Sequence, residues 1–298
     1  MTAGPGPVLV TGTSSGIGRR IVELLSEQGH TVFAAVRKRS DLASLAALTQ
    51  VTPILLDVTR EESIRRSIRA IQNEGQGLYG LVNNAGIVDL APLVETTVEA
   101  LGKVLDVNVY GMHRMVRACF PLLMEAHGRI VNIGSINGVF PEVFSGAYCI
   151  SKYAVEAYTD VLRRELRALG IRVSVVEPGE FRSNIVSTFL ARKGDELVRP
   201  FDKSPFREEM RKYFAQIQAT PGEADRSRYP DPFPVAEAVL DALFSKVPKR
   251  RYLVGSAADT DAAIAQVMRL LAQLNQRHEH SLTADELAKR LRATVSEL

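Results

Sequence analysis

A chain of 298 residues with 46% hydrophobic content can bury one large core, which excludes a disordered tail or a small scaffold held by disulfides. Its 37 Lys and Arg against 34 Asp and Glu leave a formal charge of +3, and the basic residues are spread through helical segments instead of forming a tract, so no nucleic-acid partner is expected. Cys119 and Cys149 lie in apolar helical surroundings and read as buried thiols of a reducing compartment, since a disulfide framework or metal site needs more ligands at closer spacing.

Met1 to Pro7 form a short Gly- and Pro-rich lead, and no later run approaches the ~18 apolar residues of a membrane span. A soluble, cytoplasmic protein without a membrane partner is expected. The run Val8-Leu9-Val10 predicts a strand over 7–11. It passes through Thr11-Gly12-Thr13-Ser14-Ser15-Gly16-Ile17-Gly18 into a helical pattern over 17–28 that carries Ile21, Val22, Leu24 and Leu25. Strand, glycine turn and helix in this order suit a pyrophosphate: glycines let the backbone approach it, and the helix N-terminus stabilises its charge. The spacing is Gly-x-x-x-Gly-x-Gly, which differs from the general Gly-x-Gly-x-x-Gly.

Further strands are predicted over 31–36, 53–57, 80–84, 129–134, 172–177 and 251–255, alternating with helices over 61–74, 96–125, 148–169 and 234–246. Such alternation gives parallel βαβ units. Near-continuous apolar runs such as Val173-Ser174-Val175-Val176 fit strands covered by helices on both faces. The expected fold class is α/β, a doubly wound seven-stranded parallel sheet. Residues 1–258 are expected to form one domain and 259–298 a helical C-terminal extension. Within the domain, residues 185–234 hold Phe189, Phe201, Phe206, Tyr213, Phe214, Tyr229 and Phe233 at the carboxyl edge of the sheet, where ligands bind in such folds. They are expected to form a lid over an apolar substrate, the alternative being a satellite core. In the extension, the stripe Ile264, Val267, Met268, Leu271 and Leu274 and a capping box at Thr283 and Glu286 predict two amphipathic helices, packed on the core or on a partner subunit.

Ala147-Tyr148-Cys149-Ile150-Ser151-Lys152 is the most informative segment. A spacing of four places a phenol and an ammonium on one helix face, one turn apart. A phenol titrates near ~10 in water, and a nearby cation favours the phenolate, moving it toward the range where a general acid or base works best.

These elements join Asn83-Asn84-Ala85-Gly86 after the strand over 80–84, Ser135 after the strand over 129–134, and Pro178-Gly179 after the strand over 172–177. In that order the chain resembles the short-chain dehydrogenase/reductase family over roughly residues 7–255. Leu105 to Gly111, Tyr148 to Tyr153 and Arg163-Arg164-Glu165-Leu166 look most like its retinol and 17β-hydroxysteroid dehydrogenase branch. The resemblance implies a Rossmann-type fold and a catalytic tetrad of Asn108, Ser135, Tyr148 and Lys152. It further implies a cofactor site made by Gly12, Ser14, Ser15, Gly16, Ile17 and Gly18 of the first loop and by Asn84, Ala85 and Gly86. Asp57 and Val58 look like the adenine-contacting pair, and Pro178-Gly179-x-Phe181-x-Ser183 like the loop beneath the nicotinamide, with Ser183 where many members have Thr. Lys152 is also implied to bind the nicotinamide ribose and a water chain near Asn108.

Cofactor choice rests on the end of the second strand. A carboxylate there accepts from the 2′-hydroxyl of NAD, but this chain reads Arg37-Lys38-Arg39. Arg37 suits a 2′-phosphate and Ser15 can add a hydroxyl, so NADP is expected over NAD. The expected reaction interconverts a bulky hydrophobic secondary alcohol and ketone, steroid- or retinoid-like by resemblance alone, in a cleft lined by Val88, Leu90, Val139, Phe140, Pro141, Val143 and Phe144. The alternatives are a reductase of small ketones and a non-catalytic NADP-sensing regulator. A homodimer or homotetramer through the helices over 96–125 and 148–169 is expected, with Val109, Met112, Met115 and Val116 as candidate contacts.

Overall fold

The computed structural model describes residues 6–183, 185, 188–189, 203–218, 229–276 and 278–296. Seven strands form one sheet: β1 (Val8–Thr11), β2 (Val32–Val36), β3 (Val51–Leu55), β4 (Gly80–Asn83), β5 (Arg129–Ile133), β6 (Arg172–Pro178) and β7 (Arg251–Val254). Their order is β3-β2-β1-β4-β5-β6-β7, and each neighbouring pair is parallel. The winding reverses at β1, which has β2 on one side and β4 on the other, so a crevice opens at the carboxyl ends of β1 and β4. The described helices are α1 (Gly16–Glu27), α2 (Leu42–Ala46), α3 (Glu61–Asn73), α4 (Val98–Leu105), α5 (Met112–Glu125), α6 (Gly146–Leu166), α7 (Arg207–Gln218), α8 (Phe233–Phe244), α9 (Ala257–Leu274) and α10 (Ala284–Ser296).

Strand alternation sorts the core into two layers. Val8, Val10, Val32, Ala34 and Val82 meet Ile21, Val22 and Leu25 of α1 and Val235, Val239 and Leu243 of α8. Leu9, Phe33, Ala35, Leu81 and Ile130 point the other way, onto Ile64, Ile68 and Ile71 of α3 and Met115, Cys119 and Leu123 of α5. Each such side chain contributes about 1.5–3 kcal/mol when fully removed from water. Both cysteines are free and buried. Among the described residues, no helix is long and apolar enough to cross a membrane.

The continuous helix expected over 96–125 is broken. Between α4 and α5 the chain makes a π-helical turn over Asp106–Gly111, and Asn108 sits buried within it. A π-turn inserts an extra residue and rotates the helix beyond it, so the helical periodicity read across this segment changes phase. Met112, Met115 and Val116, expected as subunit contacts, are accordingly buried inside the chain's own core, and Val109 is half-buried. Exposed apolar residues of these segments include Tyr110, Ile150, Tyr153 and Val161.

The aromatic segment divides. Phe189, Met210 and Phe214 are buried in a cluster with Val88 and Leu90, against which Phe144, Tyr148, Phe206 and Tyr213 pack. Phe233 instead starts α8 and packs on the core beside α1, with the Arg20 guanidinium 4.9 Å from its ring centroid. Tyr229 is half-buried, and Phe201 lies outside the described residues. In the extension, Thr283 and Glu286 make the reciprocal cap: the Glu286 carboxylate accepts from the Thr283 N–H at 2.8 Å, and the Glu286 N–H donates to Thr283 Oγ at 3.3 Å. The α9 stripe does not pack on the core: Ile264, Val267, Met268 and Leu274 are all exposed, and Leu271 is half-buried.

Candidate active site

The crevice is built by glycine where the backbone must turn through the left-handed region. Gly12 and Gly16 have φ of +70° and +59°, and a Cβ on Gly12 would stand 2.8 Å from Ala85 Cα. A Cβ on Gly18 would collide with Gly12 O and the Asn84 amide, so glycine there lets α1 pack directly against the loop. Ser15 caps α1 without spending its hydroxyl on the cap, Ser14 is exposed, and the first turn of α1 carries no acid. These features fit the phosphates of a dinucleotide: backbone N–H groups and the dipole end of a helix face solvent beside two hydroxyls.

The second wall is tied to the first. Thr11 Oγ accepts from the Asn84 and Ala85 N–H groups, both at 3.0 Å, while the Asn84 amide donates to Thr11 O at 2.9 Å and Gly12 O at 3.0 Å. Asn84, one of the residues expected at the cofactor site, thus uses its side chain to hold the glycine loop. Asn83 bonds Asn132 at 2.9 Å, and Asn132 bonds Thr159 of α6 at 2.9 Å, a polar chain from β4 to the catalytic helix. An added Cβ on Gly86 would meet Asn108 Oδ1 at 3.4 Å, in ordinary van der Waals contact.

Around the crevice, Arg37 and Lys38 are exposed at the end of β2. Asp57 is half-buried and accepts from the Thr59 N–H and hydroxyl at 2.9 and 2.7 Å. Val58, expected beside it at the adenine, has its side chain buried in the core. Ile17 and Phe181 pack on the opposite core layer. Gly179 donates to Val254 O at 2.7 Å, following Pro178 at the end of β6, and its missing side chain admits Asp259, whose carboxylate caps the start of α9. The loop continues to Ser183, whose Cα would be 3.2 Å from a Cβ on Gly16. The two expected cofactor loops thus come together at Gly16 and Ser183.

Asn108, Ser135, Tyr148 and Lys152 converge at the carboxyl ends of β4 and β5. Asn108 accepts from the Ile87 N–H at 2.8 Å and donates to Ile87 O and to Ser151 Oγ, both at 2.9 Å. It clamps the loop after β4 to α6. Ser135 follows β5, its hydroxyl 3.3 Å from Asn137 Oδ1 and near enough to the Tyr148 phenol to influence its titration. Lys152 is 6% exposed, donates to Ile133 O at 2.8 Å, and lies 5.4 Å from the Tyr148 ring centroid.

The electrostatics differ from the sequence expectation. Desolvation pushes the Tyr148 phenol up to about 12, with the nearby Ser135 hydroxyl acting the other way, and desolvation pushes Lys152 down to about 8, opposed by the charge of Glu156. The lysine therefore loses its proton before the phenol does, and burial outweighs the mutual attraction that the spacing alone suggests. Sequence reasoning also missed Glu156 and Glu177, two buried carboxylates on α6 and β6 facing Arg251 of β7. The signal was present: Glu156 follows Lys152 by the same four residues that separate Lys152 from Tyr148. Of the expected cleft lining, Val143 and Pro141 are exposed and line a surface groove of about 510 Å³ with Leu93, Phe144, Ile150 and Tyr153, Phe144 also packing on the cluster beside Tyr148.

Residues 7–194 match the family model described as short chain dehydrogenase. The chain belongs to the short-chain dehydrogenase/reductase family. It is 34% identical over 254 residues to retinol dehydrogenase 16 of Mus musculus, covering 83% of this chain and 80% of that one. A solved short-chain dehydrogenase from Streptomyces avermitilis superposes with a TM-score of 0.76 at 28% identity, covering 93% of this chain and 97% of that one. The closed form of a serine dehydrogenase complexed with NADP+ gives a TM-score of 0.67 at 25% identity, over 83% and 94% of the respective chains. Family and relatives together make this protein an alcohol dehydrogenase or ketoreductase acting on CH–OH donors with a nicotinamide cofactor.

The Asn108 clamp is directly testable. Asn108→Ala leaves the half-buried Ile87 backbone groups and the buried Ser151 hydroxyl without these partners, and denaturant unfolding should show a loss of about 1–3 kcal/mol.

Proposed function

We propose that this dehydrogenase interconverts a bulky hydrophobic secondary alcohol and its ketone using NADP(H), with Tyr148 as general acid and base. The observation that carries the reading is the Ser135–Tyr148–Lys152 constellation opening onto the apolar cluster of Val88, Leu90, Phe144, Phe189 and Phe214. When bound, the dinucleotide supplies the hydride donor or acceptor. Ser135 orients the substrate oxygen, and Tyr148 gives it a proton in reduction or takes one in oxidation. The protonated phenol favoured by burial is the form that donates to a ketone. Lys152, as an ammonium, supports the phenolate that forms when that proton leaves.

Arg37 and Lys38 favour the 2′-phosphate of NADP through charge-assisted bonds, and Ser15 adds a hydroxyl that can donate to it. Aromatic residues 206–214 act as the inner surface of a substrate lid, with Tyr213 reaching the Ser145 hydroxyl at 3.3 Å. Residues 259–298 form an extension to this catalytic domain. Tyr110, Tyr153 and Val161 supply the apolar surface of a homodimer or homotetramer. The substrate class is tested by a coupled hydride assay across steroid, retinoid and short aliphatic alcohols, in which preference for short alcohols contradicts the bulky-substrate reading.

Two substitutions separate the roles. Tyr148→Phe removes only the proton donor, so turnover should vanish while NADPH affinity measured by fluorescence stays within a few-fold; wild-type-like turnover would exclude this mechanism. Arg37→Asp exchanges attraction for repulsion, and the ratio of kcat/KM for NADP to that for NAD should fall by at least tenfold, ~1.4 kcal/mol.

A further inference from the structure

Behind the catalytic pair lies an acidic couple that the proton-transfer scheme above does not use. Glu156 is 8% exposed and Glu177 is 1% exposed, yet both face the single guanidinium of Arg251. Arg251 Nη1 is 2.8 Å from Glu156 Oε2 and makes a short bond to Glu177 Oε1. Glu156 Oε1 and Glu177 Oε2 are buried without a hydrogen-bond partner. Two carboxylates beside one cation carry a net charge of −1 when ionised and zero when they share one proton.

The couple is pressed against the catalytic residues by missing side chains. A Cβ on Gly134, immediately before Ser135, would lie 2.7 Å from Glu156 Oε1, and one on Gly138, in the turn after Ser135, would lie 3.0 Å from it. On α6, Glu156 is one turn beyond Lys152, on the face that also carries Tyr148. Its carboxylate is thus walled in by the Ser135 segment on one side and lies one helical turn from the lysine on the same face of α6. The charged groups around it are Lys152 and Asp160 of α6, Glu177 of β6 and Arg251 of β7; Asp160 is itself paired with Arg163 at 2.7 Å.

We propose that Glu156, with Glu177 as its proton-sharing partner, is a positioning residue that keeps Lys152 in the ammonium form during turnover. The inference rests on the reading that charged Lys152 supports proton transfer at Tyr148. Desolvation favours the neutral amine, and the charge on Glu156 opposes it, holding Lys152 at about 8. Glu156 is itself raised to about 7 by burial and by the like charge of Glu177, with Arg251 pulling the other way. As pH rises through neutrality the couple releases its shared proton, which leaves past the partly exposed Arg251, and the resulting negative charge holds a proton on Lys152 into the alkaline range. The order matters: the acid couple charges before the lysine discharges.

The test is the pH profile of kcat. In Glu156→Gln, Lys152 should discharge at lower pH, moving the alkaline limb down by about one unit, roughly a tenfold loss of rate at a fixed pH on that limb. Glu156→Asp keeps the charge and should return the limb to within a few-fold of wild type. Glu177→Gln removes the like charge that adds to burial in raising Glu156, so Glu156 should ionise at lower pH; the inflection near neutrality should move down while the alkaline limb stays. A uniform fall in kcat across pH in Glu156→Gln, with the limb unmoved, shows a packing role and overturns the proposal. Should Glu156→Gln fail to fold, an unchanged neutral inflection in Glu177→Gln overturns it equally. Turnover that persists in Tyr148→Phe defeats the underlying mechanism, whereas an unmoved limb with Tyr148-dependent turnover defeats this inference alone.

Discussion

Because Lys152 is buried, its ammonium must find compensation inside the protein, and most of the site is arranged by that need. Ile133 O at the end of β5 accepts one of its N–H bonds, which fixes the helix against the sheet at the level where Ser135 emerges. The Tyr148 ring lies beside it, one turn earlier on α6. Glu156, one turn later, supplies negative charge. Moving the ammonium would disturb the tyrosine, the serine turn and the acidic couple together.

Around this centre the fold spends its buried polar groups on holding walls in place. Thr11 and Asn84 join the loops after β1 and β4, Asn108 joins the loop after β4 to Ser151 of α6, and Asn83, Asn132 and Thr159 run across the sheet to the same helix. Such bonds contribute modestly when made but are costly to leave unmade, so each fixes a distance in the crevice. The result is a rigid floor beneath a wall of aromatic residues from α7, which pack on Tyr148 and its apolar neighbours. Rigid positioning of the reacting groups below a largely apolar cover suits a reaction in which a hydride passes between cofactor and substrate while a proton passes between protein and substrate.

Much of this was legible in the sequence because it depends on local pattern. The apolar runs and their alternation with helical segments gave the strands to within two residues, and the glycine loop and the Tyr148–Lys152 spacing marked two walls of the crevice. What escaped depends on long-range contact or on burial. The π-turn at Asn108 is drawn by bonds to Ile87 and Ser151, which no periodicity reports, and it turns Met112 and Met115 inward. The structural work of the Asn84 amide, which serves Thr11 and Gly12 across the crevice, likewise depends on long-range contact. Glu177 sits in an apolar strand run where only the neighbouring strand reveals Arg251. Spacing correctly paired the phenol with the ammonium; it could not report that desolvation drives the two apart in titration.

The central claim, that burial depresses Lys152 and leaves its charge dependent on its neighbours, is tested most directly by following lysine side-chain nitrogen and adjacent carbon signals by NMR against pH. Comparison with Lys152→Arg assigns the resonance. The account expects Lys152 to titrate near about 8, below the ordinary lysine value of 10.5. A midpoint at the ordinary lysine value would contradict it.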